Sequence, residues 1–268
     1  MANDPSYIIA GKGRWGTRMH ELLAGEGRRV EFAPSPRREV GESDDDYEAR
    51  MARSFATSAA QIAWLCVPPG AHVPLLVRAA LAAGFHVIVE KPWNYSREAT
   101  AALQRIGDTK KLKIGVHFEY CFLSGVGRWR GEYARRGDLR FSGIFTTSVS
   151  DHMGVSAMQN LGSHLFSIHE FAVPNATIEE IRCGYDSVNQ RTVWLESGKE
   201  RVAEIDLLAH QEPIIQRYLA RLESSLRGEN FPIDLGFAQR VNKKLELLVS
   251  GTKSPPATSA GGAPGGDS

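Results

Sequence analysis

Short apolar runs alternate with longer amphipathic segments through the first 120 or so residues, and then the rhythm changes. Tyr7-Ile8-Ile9-Ala10 reads as a strand, Arg29-Val30-Glu31-Phe32-Ala33 as a second, and Ile62-Ala63-Trp64-Leu65-Cys66-Val67 as a third, cut off by Pro68-Pro69-Gly70. A helix-like segment covers residues 17–23, and another, residues 73–83, stops at Gly84, a residue type suited to a helix C-terminus. The run Phe85-His86-Val87-Ile88-Val89 leads into Glu90-Lys91-Pro92; Ser96 is placed to cap the next helix, and residues 113–117 form a last strand. Strands alternating with helices imply βαβ units, a parallel sheet and right-handed crossovers. The expected class is α/β, with a doubly wound parallel sheet.

Beyond residue 120 the strands cluster. Residues 139–149 are β-like, residues 158–171 helix-like, and residues 178–185, 191–195 and 201–208 are strand candidates, with Ser197-Gly198-Lys199 as a hairpin turn. Ile214, Ile215, Tyr218, Leu219, Leu222 and Leu226 form the apolar stripe of a helix, and residues 237–249 form another. This predicts an α+β domain with an open antiparallel or mixed sheet. The chain divides into residues 1–118, residues 119–250 and a Gly/Pro/Ser/Ala-rich tail, 251–268, expected to be disordered.

Length and composition agree with two domains: 268 residues, 42% hydrophobic and 24% charged. A net charge of +1 gives no electrostatic case for nucleic acid or an anionic membrane. Asp44-Asp45-Asp46 reads as a solvated loop or a helix start. Cys66, Cys121 and Cys183 are isolated, which suits a reducing, cytoplasmic setting. The N-terminus lacks the basic and apolar regions of a signal peptide, and no run reaches the roughly 18 apolar residues of a membrane span.

Candidate chemistry begins at Gly11-Lys12-Gly13-Arg14-Trp15-Gly16, between a strand and a helix. In a dinucleotide site the first glycine permits the tight turn. The second lets backbone approach a pyrophosphate, and the third lets helix and strand pack closely. Phosphate then lies at the positive end of the helix. After the second strand come Ser35, Arg37 and Arg38, with no carboxylate until Glu39. Arginines suit a 2′-phosphate, so the expected cofactor is NADP(H) in preference to NAD(H), against the plainer reading of two solvated loop arginines. Lys91 falls at the C-terminal edge of the parallel sheet, where such folds bind ligands.

The motifs Val67-Pro68-Pro69-Gly70-Ala71-His72 and Ala79-Ala80-Leu81-Ala82-Ala83-Gly84-Phe85-His86-Val87-Ile88-Val89-Glu90-Lys91-Pro92, with the glycine turn, resemble the glucose-fructose oxidoreductase/inositol dehydrogenase/MocA (Gfo/Idh/MocA) oxidoreductase family over about the first 120 residues. The resemblance implies an N-terminal Rossmann domain and a C-terminal α/β domain whose open sheet covers the nicotinamide and builds a homodimer or homotetramer. It implies that Lys91 lies beside nicotinamide and substrate, often with a cis peptide before Pro92. Pro68, His72 and Glu90 join Gly11, Gly13, Arg14, Trp15 and Gly16 as expected cofactor neighbours.

The family's second signature is a helix with Asp and, four residues on, His. Here the match is Asn160 and His164, which would share one helix face, with Ser167 where a second Asp is common. A neutral Asn160 cannot act as a carboxylate base but can orient a substrate hydroxyl or carbonyl. Lys91 is the expected proton donor, its pKa lowered beside a cationic, partly desolvated nicotinamide. His164 is the second catalytic candidate, and Glu119 with Asn160 the candidate substrate contacts. Asp151 and His152 are weaker pocket candidates. No metal site is expected, because there is no HExxH and His164 and His169 fall on different helix faces. The chain reads as an NADPH-dependent oxidoreductase reducing a C=O or C=N group of a small polar metabolite: a keto-sugar, a cyclitol or a cyclic imine of secondary metabolism. The alternative is a catalytically silent NADP(H)-binding sensor or partner subunit, suggested by the missing Asp and the short second domain.

Overall fold

The computed structural model describes residues 5–148 and 155–251, with side chains to residue 249. Asp151, His152 and the tail from residue 252 lie outside the described residues. The first sheet is formed by β1 (Tyr7–Ala10), β2 (Val30–Phe32), β3 (Ile62–Leu65), β4 (His86–Glu90) and β5 (Ile114–His117), in the order β2-β1-β3-β4-β5. All four pairings are parallel. Such a sheet is covered on both faces, which explains why β1 and β3 are apolar and buried at every position.

The crossovers are α1 (Arg14–Gly25), α2 (Asp44–Ala56), α3 (His72–Ala82) and α4 (Arg97–Lys110). The acidic triplet at 44–46 is a helix start: the Ser43 hydroxyl accepts from the Asp46 N–H at 3.1 Å, and the three carboxylates sit at the positive end of α2. Ser96 caps α4 in the same way, through the Ala99 N–H at 3.1 Å. Tyr47, Met51 and Phe55, spaced four apart, bury the inner face of α2.

A 3₁₀ turn (Glu119–Phe122) and α5 (Ser124–Tyr133) lead into the second sheet. Its strands are β6 (Leu139–Thr147), β7 (Thr177–Tyr185), β8 (Gln190–Ser197) and β9 (Glu200–Asp206), in the order β7-β6-β8-β9. β6 and β7 are parallel, whereas β6–β8 and β8–β9 are antiparallel, so the sheet is mixed. The parallel pair arises because the link between β6 and β7 contains a helix, α6 (Ser163–Ala172), rather than a tight turn. Met158–Gly162, expected as plain α-helix, is a π-turn that widens the chain where it enters α6.

The last helices, α7 (Ile214–Leu226) and α8 (Leu235–Gly251), return to the first sheet. From α7, the Glu223 carboxylate accepts from the Tyr7 hydroxyl of β1 at 2.5 Å and pairs with Arg28 at 3.0 Å. The Val116 N–H of β5 bonds the Ile233 carbonyl at 3.0 Å. Packing of Tyr218 and Phe231 also accounts for Gly115 in β5, where a Cβ would lie 2.6 Å from the Phe231 ring and 2.7 Å from the Tyr218 hydroxyl. Ser43→Ala should lower the free energy of unfolding by about 1 kcal/mol, read from the urea midpoint; an unchanged midpoint contradicts the cap.

Candidate active site

The loop after β1 carries the glycine turn. Gly11 has φ +111°, and a Cβ there would lie 2.2 Å from the Cys66 carbonyl oxygen. A Cβ at Gly16 would lie 1.9 Å from the Gly11 carbonyl oxygen, so α1 approaches the strand end only because both residues are glycine. A Cβ at Gly13 meets nothing within 4 Å. This middle glycine faces open space at the first turn of α1, a helix with no side-chain cap and no acidic residue in that turn. Its N–H groups are therefore available to an anion, and the turn fits a dinucleotide pyrophosphate.

At the tip of β4 the Glu90 carboxylate gathers three donors on Oε1: Trp15 Nε1 from α1 at 2.7 Å, Trp64 Nε1 from β3 at 2.9 Å, and His117 Nδ1 from β5 at 3.2 Å. The Glu90 side chain is 14% exposed and His117 is fully buried. Burial opposes the charge on each group, but the His117 charge and the three hydrogen bonds outweigh it and hold Glu90 below its ordinary 4.5. Burial works to strip His117 of its proton, yet the Glu90 charge and hydrogen bond win and hold it above 6.5. Each group thus favours the charged form of the other. Glu90, expected as a cofactor neighbour, thus acts first as the tie among three elements.

Lys91 follows directly, through a cis Lys91–Pro92 peptide bond. Its Nζ donates to Asn160 Oδ1 at 2.7 Å and to the Asn160 carbonyl at 3.3 Å, joining the first sheet's edge to the π-turn. Asn160, 8% exposed, donates in turn from Nδ2 to the Tyr185 hydroxyl of β7 at 3.2 Å. His164, one turn on, is buried with Nδ1 unpartnered, between the rings of Tyr120 (5.0 Å, edge-on) and Phe145 (5.3 Å, stacked). Burial first, then the charges of Lys91, Arg191 and His117, push its pKa well below 6.5. His164 is therefore a neutral imidazole, able to exchange a hydrogen bond but not to serve as a resident imidazolium acid.

The other candidates separate. Ser167 turns its hydroxyl to the His164 carbonyl at 2.8 Å, away from the pocket. His169 is structural, its ring nitrogens meeting the Ala176 carbonyl and Lys244 Nζ, each at 2.9 Å. Glu119 is half-buried in the 3₁₀ turn, with its charge acting on His117 and Tyr120. Arg37, Ser35 and Arg38 lie exposed after β2, together with Arg14 at the start of α1 and Pro68 on the loop after β3. Arg38 is held by Asp44 at 2.5 Å, and Arg50 on α2 clamps the loop through Glu42 at 2.7 Å and the Arg37 carbonyl at 2.8 Å. His72, half-buried at the start of α3, meets the Tyr47 ring edge-on at 6.5 Å, beside that loop.

Sequence reasoning passed over Tyr185, Tyr120, Arg191 and His210, which line the same region. Arg191 had a signal: it shares strand parity with the buried Val193 and Leu195 of β8. Tyr120 and His210 lie in irregular segments where no period applies.

These contacts describe a parallel α/β sheet whose C-terminal edge, carrying the glycine turn and Lys91, is met by a second, mixed sheet. Residues 7–118 match the family described as the oxidoreductase family with an NAD-binding Rossmann fold, Gfo/Idh/MocA. That match covers the first sheet and its helices, and with it the chain reads as an NAD(P)-dependent oxidoreductase. Three solved structures share the fold. The UDP-N-acetylglucosamine 3-dehydrogenase GnnA of Acidithiobacillus ferrooxidans matches 92% of this chain and 97% of its own, at 10% identity and a TM-score of 0.71. The WlbA (WbpB) dehydrogenase of Thermus thermophilus, in complex with NAD and UDP-GlcNAcA, matches 91% and 94%, at 15% identity and 0.67. An aldose-aldose oxidoreductase of Caulobacter crescentus, complexed with glycerol, matches 92% and 97%, at 13% identity and 0.67. No curated protein matches the chain in sequence. Among the described residues no helix is long and apolar enough to cross a membrane.

The Glu90–His117 pair sets a pH dependence. The His117 contribution to stability is complete below 6.5 and is lost as pH rises through its raised folded value. The Glu90 contribution is present above 4.5 and is lost as pH falls through its lowered folded value. Glu90→Gln should move the His117 ring titration, followed by NMR, from above 6.5 to below it; a titration that does not move contradicts the ion pair.

Proposed function

We propose that the protein is an NADPH-dependent reductase of a C=O or C=N group in a small polar metabolite, with Lys91 as proton donor. The observation that carries this reading is the Lys91 ammonium held at 2.7 Å by the neutral carbonyl of Asn160, beside neutral His164. A nicotinamide bound at the sheet edge supplies hydride to the substrate carbon. The chain's own part is to hold the substrate and deliver a proton to the atom that gains charge. An amide carbonyl orients the ammonium without the full charge of a carboxylate, so a substrate oxygen or nitrogen can take its place on Nζ. His164 can donate one hydrogen bond to the same atom or accept one from a neighbouring hydroxyl, and Lys91 remains the proton source. Asn160 and Glu119 complete the substrate contacts.

The preference for NADP(H) is supported by Arg37, Arg38 and Ser35 beyond β2, and by the orientation of the only carboxylate of β2, Glu31, whose Oε1 is taken by the Ser58 hydroxyl. The similar structures act on or hold UDP-sugars, or hold glycerol, which agrees with keto-sugars or cyclitols as substrates, with cyclic imines as a related class. We further read the outer face of the second sheet, where Trp194 lies under the Arg201 guanidinium at 4.6 Å, as the surface through which two or four copies associate. Free Cys66, Cys121 and Cys183 suit a reducing, cytoplasmic setting.

Lys91→Met should cut single-turnover oxidation of bound NADPH by about 100-fold or more while cofactor affinity is largely kept. Undiminished turnover removes Lys91 from the mechanism. If NADPH binds tightly but no ketone or imine in a panel oxidises it, the reductase reading fails in favour of a silent sensor or partner subunit. Arg37→Ala should weaken NADPH by about tenfold, the loss of one charge-assisted contact, and leave NADH unchanged. Equal loss for both cofactors contradicts the assignment of the 2′-phosphate contact.

A further inference from the structure

Strand parity puts a cation on the inward face of the second sheet. Arg191 opposes Phe145 in the β6–β8 pairing and points to the same side as Val193 and Leu195, which are fully buried. Its Nη1 donates to the Tyr120 hydroxyl at 3.0 Å, and its guanidinium lies 4.7 Å from the centre of the Phe145 ring. Its Nε–H is buried with no partner. Among the described residues no carboxylate pairs with it. A partly buried guanidinium with no directly paired carboxylate among the described residues is costly, and a hydroxyl and a ring face repay only part of that cost.

The surroundings offer further hydrogen-bonding groups. Burial and the Glu119 charge hold the Tyr120 phenol above its ordinary 10, so it keeps its proton. The phenol accepts from Arg191 and has that O–H left to donate. His210, whose Nδ1 is buried and unpartnered, meets the Tyr120 ring edge-on at 6.0 Å. His164 is packed against the same two rings, Tyr120 and Phe145. The charges of Arg191 and Lys91 both act on His164, which places the two cations around one imidazole.

We propose that Arg191 is a specificity residue that binds an oxyanion of the substrate, a carboxylate or a phosphate, while Lys91 faces the reacting group. The proposal deepens the reductase reading and rests on it for the identity of the pocket. The Nε–H and one terminal N–H present the guanidinium fork, and the Tyr120 hydroxyl supplies a further donor. A neutral polyol has no charge to place there, so the preferred substrates are acidic: sugar acids, sugar phosphates or acidic imines.

The test observes Arg191 directly. In ¹⁵N-labelled protein the Arg191 Nε–H resonance, assigned by its loss in Arg191→Lys, is followed while sodium malonate, inorganic phosphate or glycerol is added at constant ionic strength. A saturable shift with malonate or phosphate, absent with glycerol, is expected, and the better of the two anions distinguishes carboxylate from phosphate. Tyr120→Phe should weaken that binding by about tenfold, the scale of one hydrogen bond to a charged group. No saturable shift with either anion, or an equal shift with glycerol, overturns the proposal. NADPH affinity, measured separately by cofactor fluorescence, shows whether the dinucleotide site itself has failed.

Discussion

One carboxylate oxygen organises the C-terminal edge of the first sheet. Glu90 Oε1 draws in donors from α1, β3 and β5, three elements that reach the sheet's lip from different directions. Two donors are indoles, which can bring large apolar surfaces to a polar point because only one atom of each needs a partner. The third is an imidazole whose protonated form the Glu90 charge and hydrogen bond favour. Lys91 is the next residue, so the backbone that carries the ammonium is fixed by this network. The glycine turn is tied to the same network through Trp15, two residues after Gly13. The glycine turn and Lys91 are therefore set in register by a single group.

The second domain completes the site from the opposite side. A π-turn brings Asn160 to the Lys91 amine, and Tyr185 on β7 fixes the amide in turn. Asn160 contributes an amide dipole, not a charge, to the hold on the amine. His164 is kept neutral by burial and by the cations around it. Positive charge in this pocket is thus concentrated on Lys91 and Arg191, an arrangement suited to giving a proton at one end of a substrate and receiving negative charge at the other.

Much of this was legible in the chain, for physical reasons that differ by region. Buried parallel strands are continuous apolar runs, so β1, β3 and β4 stand out, and glycines at a close approach leave a fixed spacing. Lys91, Asn160 and His164 were legible through motifs, and they converge. The start of α2 was ambiguous because three aspartates suit a solvated loop as well as a helix N-terminus; only the Ser43 cap decides. α5 was missed because Ser124-Gly125-Val126-Gly127 has weak helix propensity, and it is tertiary packing of Val126 and Trp129 that holds it. The parallel β6–β7 pair and the pocket role of Tyr120 and His210 depend on long-range placement that no local period records.

The most direct measurement is a crystal structure of the NADPH complex. The account places the Lys91 amine within about 6 Å, two hydrogen-bond lengths, of the nicotinamide carbon that carries the hydride, with His164 on the same side. A nicotinamide lying outside the space between Lys91 and His164, or an amine directed into bulk solvent, would contradict it.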